Sequence, residues 1–443
     1  MKRVVPLVGF SMALMISAGG DALAQNRYEI WQEGKPFTIG VMYYDLAFGP
    51  NWYDPAPPDY VPDPDMELFR QAGLNLLSDV SMSSGGHKWY PGIRQARRTS
   101  DVAYMILAGP WKPFDFFQHR LRWADENCYG VQLADEPQKP DDQRFHRQQQ
   151  EWIVKEHPHL LTLFCESLSN IPKWTEEWQA IRSDGITYQW YPYHTSDGTS
   201  SDISPQMYGC LQHASDFCKQ RGLGFFMTRG TRQARSASTL RMNTYAALAY
   251  GCDGFIDYTW GSTNPEGGYA WYKDQRCQGP GGNFEALAAV NREVANLGPT
   301  LLALRHVRTY HLNLLTGVTW AGKVYGFDEP DNLRTGNLKV VKGELYPYRD
   351  HLMVGFFRDL DDQEHFMVVN KANSRGRGVD QQTLDMQVTL TFDQRVDAIE
   401  RLNRQTGAVE RIELEGHTFT FSLPGGTADL FKYATGKPFA GVR

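Results

Sequence analysis

The stretch GLGFFMTRGTRQARSASTLRMNTYAALAYGCDGFIDYTW, residues 222–260, holds one complete repeating unit. Gly224–Thr228 is a short apolar run, and residues 254–259 form a second. Between them lies a fifteen-residue amphipathic stretch, 236–250, opened by Ser236 and closed by Gly251-Cys252-Asp253. Serine at the start and glycine just past the end are ordinary helix boundaries. A strand, a helix and a second strand in that order form a parallel βαβ unit, because a parallel partner is reached only through a crossover.

The same rhythm extends outward in both directions. Apolar runs at 38–44, 74–80, 102–107, 130–134, 160–164 and 186–191 complete a set of eight with the two above. Helical stretches at 141–156, 203–221 and 283–304 fit the same alternation. Eight βα units predict a closed (β/α)₈ TIM barrel, with a doubly wound open sheet as the alternative. Helix-to-strand links are short, such as Ala72-Gly73, whereas 45–63, 81–91, 192–202 and 260–282 are long strand-to-helix loops. In such barrels these loops form the working face. They also carry many of the 12 Trp and 22 Tyr, whose flat rings suit stacking on sugars.

Beyond Arg305 helical periodicity stops. Runs at 352–357, 365–369, 386–392, 396–402 and 418–423 look like strands with turn residues between them, and Gly425-Gly426 marks a turn. Residues 306–443 therefore read as a C-terminal antiparallel β-sandwich, and 25–305 as the barrel. Residues 1–24 read as a cleaved secretory signal: Lys2 and Arg3, an apolar run, then Ala22-Leu23-Ala24. That predicts a periplasmic or extracellular protein. The formal net charge is −6, which argues against nucleic-acid or anionic-membrane partners. Six cysteines permit disulfides, but Cys128, Cys165 and Cys252 sit in or beside apolar runs and read as buried thiols.

The sharpest motif is Gly130-Val-Gln-Leu-Ala-Asp-Glu-Pro137, a fourth strand that delivers two carboxylates to the barrel mouth. Strand alternation sends Asp135 and Glu136 to opposite sides. Glu136 is assigned to the pocket as a proton donor, and Asp135 to support. For a second carboxylate, Glu166 after strand five is favoured, with Asp257 and Asp79 as alternatives. Trp111, Tyr191, His194, Arg229, Asp257 and Trp260 are the substrate-binding candidates, because each falls near a strand's carboxyl end. Arg229 at the mouth would pair with a carboxylate or bind an acidic sugar. No HExxH, calcium loop, CxxC or phosphate loop occurs, so neither metal nor cofactor is expected.

Asp135-Glu136-Pro137, Tyr188-Gln-Trp-Tyr-Pro-Tyr193, Tyr245-Ala-Ala-Leu-Ala-Tyr-Gly251 and Gly254-Phe-Ile-Asp-Tyr-Thr-Trp260 together resemble bacterial (β/α)₈-barrel glycoside hydrolases, the β-galactosidase-like enzymes among them. The resemblance spans nearly the whole chain after residue 24. It implies a glycoside hydrolase acting on a poly- or oligosaccharide, with Glu136 as acid/base. It also implies a nucleophile glutamate ending strand seven, where this chain has Phe226-Met-Thr-Arg-Gly230 and no carboxylate. That departure leaves open a non-catalytic carbohydrate-binding barrel.

Overall fold

A computed structural model describes residues 28–43 (except 30), 66–79, 102–107, 124–135, 140–167, 183–189, 206–231, 236–262, 267–273, 276–312, 318–320, 323–325, 337–346, 351–373 and 384–442, with four isolated positions besides. Residues 1–24 lie outside this set.

The eight expected strands are present and close into a parallel barrel in chain order. They are β1 (Thr38–Tyr43), β2 (Leu76–Asp79), β3 (Ala103–Leu107), β4 (Cys128–Asp135), β5 (Leu161–Ser167), β6 (Gly185–Gln189), β7 (Gly224–Thr228) and β8 (Gly254–Asp257). β8 returns to β1 through Thr38↔Gly254 and Val41↔Asp257, so no barrel edge is left open. The described helices are α1 (Met66–Gln71), α2 (Pro140–Glu156), α3 (Gln206–Arg221), α4 (Ala237–Ala249) and α5 (Phe284–Leu302).

Alternation along each strand divides its side chains between two cores. Leu161, Leu163, Cys165, Phe226 and Ile256 point into the bore, and Tyr28 and Trp31 plug it at the amino-terminal end. Trp31 Nε1 donates to the Tyr129 carbonyl at 2.9 Å, which fixes the plug to β4. Glycines make room for the large rings. A Cβ at Gly254 would stand 2.8 Å from the Phe226 ring, and one at Gly185 would stand 2.6 Å from Leu163. Large and small residues thus alternate around the ring, and the lower bore is packed solid. Phe164, Tyr188, Phe225, Met227 and Phe255 point the other way, into the layer under the helices.

The tight helix-to-strand turns have a chemical pattern. Asn75, Asp184 and Asp253 each precede an even-numbered strand. Their side chains accept from Ile39 N at 2.9 Å, Thr162 N at 2.8 Å and Phe225 N at 2.8 Å on the preceding strand. A short polar side chain thus satisfies a strand-end donor that the ladder leaves over. Burial raises the Asp253 carboxyl to about 7, against the pull of the Phe225 amide.

Past β8 come β9 (Gly261–Ser262), β10 (Ala270–Lys273) and β11 (Arg276–Pro280), a small three-stranded sheet. The C-terminal part carries β12 (Arg305–His311), the hairpin β13 (Val318–Trp320) and β14 (Lys323–Tyr325), then β15 (Leu338–Glu344), β16 (Leu352–Arg358), β17 (Glu364–Asn370), β18 (Met386–Phe392), β19 (Ala398–Leu402), β20 (Val409–Glu413), β21 (Thr418–Leu423) and β22 (Ala428–Tyr433). A six-stranded antiparallel sheet, β12-β16-β17-β22-β19-β20, faces the three-stranded sheet β15-β18-β21. Val354, Phe366, Val388, Leu390 and Phe431 fill the space between them. The other face of the large sheet, with Met353, Phe357, Met367 and Leu430, belongs to the same core as α4 and α5.

Helix α4 explains its own composition. Ser236 caps it by accepting from Thr239 N at 3.2 Å, and eleven of its thirteen residues are buried. It lies between barrel and sandwich, so apolar or small residues occur all round it. Cys128, Cys165, Cys210, Cys218 and Cys252 are buried free thiols. Burial pushes Cys128 up to about 12 and raises Cys252 well above its ordinary value, so neither is a ready nucleophile. Among the described residues no helix is long and apolar enough to cross a membrane, and no three His, Cys, Asp or Glu side chains are grouped to hold a metal.

Candidate functional site

The bore changes character as it rises towards the carboxyl ends of the strands. Counting by twos from Leu76, Gly130, Gly185 and Phe226 brings Ser78, Gln132, Thr187, Gln189 and Thr228 to the inward face. Ser78 Oγ donates to Gln132 Oε1 at 3.3 Å across the bore. Cys165 Sγ meets Thr228 Oγ1 at 3.9 Å, and Gln189 Nε2 donates to the same sulfur. An apolar floor is therefore overlain by uncharged hydrogen-bonding groups. Ser167 and Gln189 are half-buried where β5 and β6 end, and Tyr258 is half-buried against the inward core one residue past β8.

Strand β4 reaches the same rim, and its path is irregular. Gln132 pairs with Leu163, but the next pairing is Asp135 with Cys165, three residues on against two. That is a β-bulge, a device that re-aims a strand end. Alternation counted from Gly130 therefore does not carry through to Asp135. Asp135 is the last residue of β4, and its side chain lies outside the described set. Glu136, Trp111, Tyr191 and His194 lie outside the described residues altogether, as does the side chain of Asp79.

Four of the expected site residues, Glu166, Arg229, Asp257 and Trp260, are described, and all four are fully buried. Glu166 alternates with Cys165 and shares the outward face of Phe164. It is fully buried and level with Tyr188, its register partner on β6. The Tyr188 hydroxyl is raised well above its ordinary value by burial first, then by Cys218 and by the Glu166 charge beside it. Glu166 thus belongs to the layer behind the barrel wall and cannot face a substrate in the bore.

Arg229 and Asp257 are also fully buried on that outer side, and they serve each other. Arg229 Nε and Nη2 donate to the two Asp257 oxygens at 2.6 Å each, a bidentate fork. Nη2 also donates to Asn291 Oδ1 at 2.8 Å, and Nη1 to Thr244 Oγ1 at 3.0 Å. The guanidinium lies 4.3 Å over the Phe255 ring. Tyr269 Oη donates to Asp257 Oδ2 at 2.6 Å, and Asn291 Nδ2 donates to the Ala72 carbonyl at 2.8 Å. Burial alone would lower the Arg229 pKa, but the Asp257 charge, Tyr269 and the hydrogen bonds to Asp257 together outweigh it and hold it raised. The pair ties β7, β8, α4, α5 and the end of α1 together; it is not a mouth cation with a free substrate partner.

Trp260 is fully buried too. Its ring stacks on Tyr269 at 5.8 Å and meets Phe69 at 5.5 Å. The aromatic of this segment that meets the bore is Tyr258, two residues earlier. A count by twos from Phe226 and Ile256 finds Thr228 and Tyr258 on the inward side and Arg229 on the outward; it reaches Trp260 too, but β8 ends at Asp257 and the count no longer holds there.

No family model matches the chain, and no curated protein matches it. Among solved structures it is similar to Gas2 of Saccharomyces cerevisiae. The complex with laminaritriose and laminaritetraose shares 12% identity at a TM-score of 0.42, covering 58% of this chain and 64% of that one. The complex with a compound numbered 10 shares 12% at 0.44, covering 58% and 65%. This chain thus spans less than two-thirds of the structures it matches, and the likeness is one of fold.

Proposed function

We propose that the chain is an exported glycoside hydrolase, its signal being residues 1–24, that cleaves O-glycosidic bonds of a poly- or oligosaccharide with Glu136 as the proton donor. The observation that carries this reading is the gradient inside the barrel. The bore is mainly apolar below, with Thr38 beside Gly254 as the exception, and uncharged hydrogen-bonding groups gather towards the strand ends, with Tyr258 half-buried at its rim. A neutral sugar offers hydroxyls to such groups and a flat face to such a ring. Strand β4 ends at this level, and Glu136 follows it directly.

In the proposed reaction Glu136 gives its proton to the leaving oxygen as the bond to the anomeric carbon breaks. A second carboxylate takes the opposite face, as nucleophile or as base for a water. Glu166 and Asp257 are spent behind the wall, so Asp79 and Asp135 are the candidates that remain. The test is Glu136→Gln on a glycan that the wild type cleaves. Loss of general acid catalysis lowers turnover by about 10²–10⁴-fold. Undiminished turnover would remove Glu136 from the chemistry.

The outward aim of Glu166 and Asp257 also favours a second reading, a carbohydrate-binding barrel without catalysis. Glycan binding by calorimetry, with no product formed over prolonged incubation, would select it.

A further inference from the structure

We propose that Gln132 and Thr187 hold one buried water between them inside the barrel, and that Gln132 is thereby a positioning residue for the end of β4. The positioning role rests on the reading of that strand end as catalytic; the water does not.

Geometry places the two side chains in one layer. Ser78 pairs through Met105 with Gly130, and Gln132 stands two residues beyond Gly130. The 3.3 Å contact between Ser78 and Gln132 shows that this offset brings alternate strands level. The same step repeats on the next pair. Gln132 pairs through Leu163 with Gly185, and Thr187 stands two residues beyond Gly185. Ser78, Gln132 and Thr187, with Ile256 completing the ring, form one layer of alternate strands.

Two polar atoms in that layer have no protein partner, Gln132 Nε2 and Thr187 Oγ1. Reversing the Gln132 amide only exchanges which end meets Ser78. Both side chains are shut off from solvent, at 1% and 0% exposure. A buried amide or hydroxyl left without a partner costs about 1–3 kcal/mol. A water needs two to four polar partners, and the Gln132 amide, Thr187 Oγ1 and the spare lone pairs of Ser78 Oγ supply them. The burial excludes a sugar from this position and suits a resident water.

The placement has a consequence above it. Gln132 is the last regularly paired residue of β4 before the bulge that leads to Asp135. Holding Gln132 from two sides fixes the base of that bulge, and hence the course of β4 to its last residue, Asp135.

A crystal structure of the full chain at a resolution that shows ordered water tests the first claim. Density within about 3.2 Å of both Gln132 Nε2 and Thr187 Oγ1 is expected. Urea unfolding of Thr187→Val, Gln132→Met and the double variant is a second measure. If one water serves both groups, either change expels it, and the double variant is little worse than the weaker single. Absence of density together with additive effects would overturn the water.

For the positioning role, Gln132→Met crystals should show the Asp135 end of β4 displaced against Cys165. On a cleaved glycan, kcat should fall on the order of tenfold to a hundredfold with KM kept. An unmoved strand end refutes positioning whether or not the chain proves to be a hydrolase, and leaves the water intact.

Discussion

The two faces of β7 and β8 carry opposite kinds of chemistry. Outward lie Arg229, Asp257, Tyr269 and Asn291, a charged cluster with its hydrogen bonds made inside the protein. Inward lie Thr228 and, one residue past β8, Tyr258, uncharged and facing the bore. The charged face looks more like an active site and serves structure. A charge whose partners all lie in the protein has no bonding capacity left for a ligand, so residue type alone does not mark a site.

That contrast can be broken experimentally. The largest effect on stability is expected from Asp257→Ala or Arg229→Ala. Each strands a buried ion without its partner, at a cost of about 3–5 kcal/mol in urea unfolding. The pair Arg229→Met with Asp257→Leu removes both charges and should unfold less readily than either single variant. If the single variants prove near neutral, the cluster is not the structural tie described. Next comes the aromatic pair. Trp260→Ala should cost about 3–5 kcal/mol of stability, as a large buried ring lost to a cavity. Tyr258→Ala should leave the unfolding midpoint nearly unchanged and weaken binding of any glycan ligand. A Tyr258 variant that destabilises as strongly as Trp260→Ala would erase the distinction between the faces.

A third expectation concerns pH at the seam between barrel and sandwich. Burial, then the Lys219 charge, lowers His306 to about 3, with its ring nitrogens bonded to Ser215 and Thr309. The folded state therefore keeps this imidazole neutral where the unfolded chain, near 6.5, takes a proton. Stability contributed by His306 is complete above about pH 6.5 and is lost as pH falls from there towards 3. Thermal unfolding across that window should show His306→Gln with a shallower acid decline than the wild type; parallel declines would rule the group out. The smallest effect is at the α4 cap, where Ser236→Ala should cost about 1 kcal/mol in the same assay.

The barrel was legible because its signals are local. Residues 236–250 read as a helix and appear as Ala237–Ala249 with Ser236 as cap; Gly224–Thr228 agrees residue for residue. Strand β20, Val-Glu-Arg-Ile-Glu, is an edge segment with no buried residue, and β12, Arg-His-Val-Arg-Thr-Tyr-His, is the other edge and mixes exposed Arg305, Val307 and Arg308 with buried Thr309, Tyr310 and His311, so no apolar run marks either. β22 is buried along its whole length and lacks alternation for the opposite reason. The site was less legible. Which side of a strand a carboxylate occupies depends on a count of two that must begin from a known inward residue, and Phe226 is known as inward only once the barrel is closed. For Asp135 even that count fails, because the bulge after Gln132 leaves no mark in residue type.

The shared core under α4 sets a limit on dissection. A chain ended at residue 305 would leave the flank of that helix that meets the sandwich, with Met242 and Ala249, turned towards water. It would also forfeit the bond from Thr309 to the Ala249 carbonyl and the Arg404 grip on Glu293. The sandwich is thus the far wall of the barrel's own interior, and the two parts melt together or not at all. A recombinant barrel without it should be recovered as aggregate, and a soluble, cooperatively folding fragment would show the wall to be dispensable.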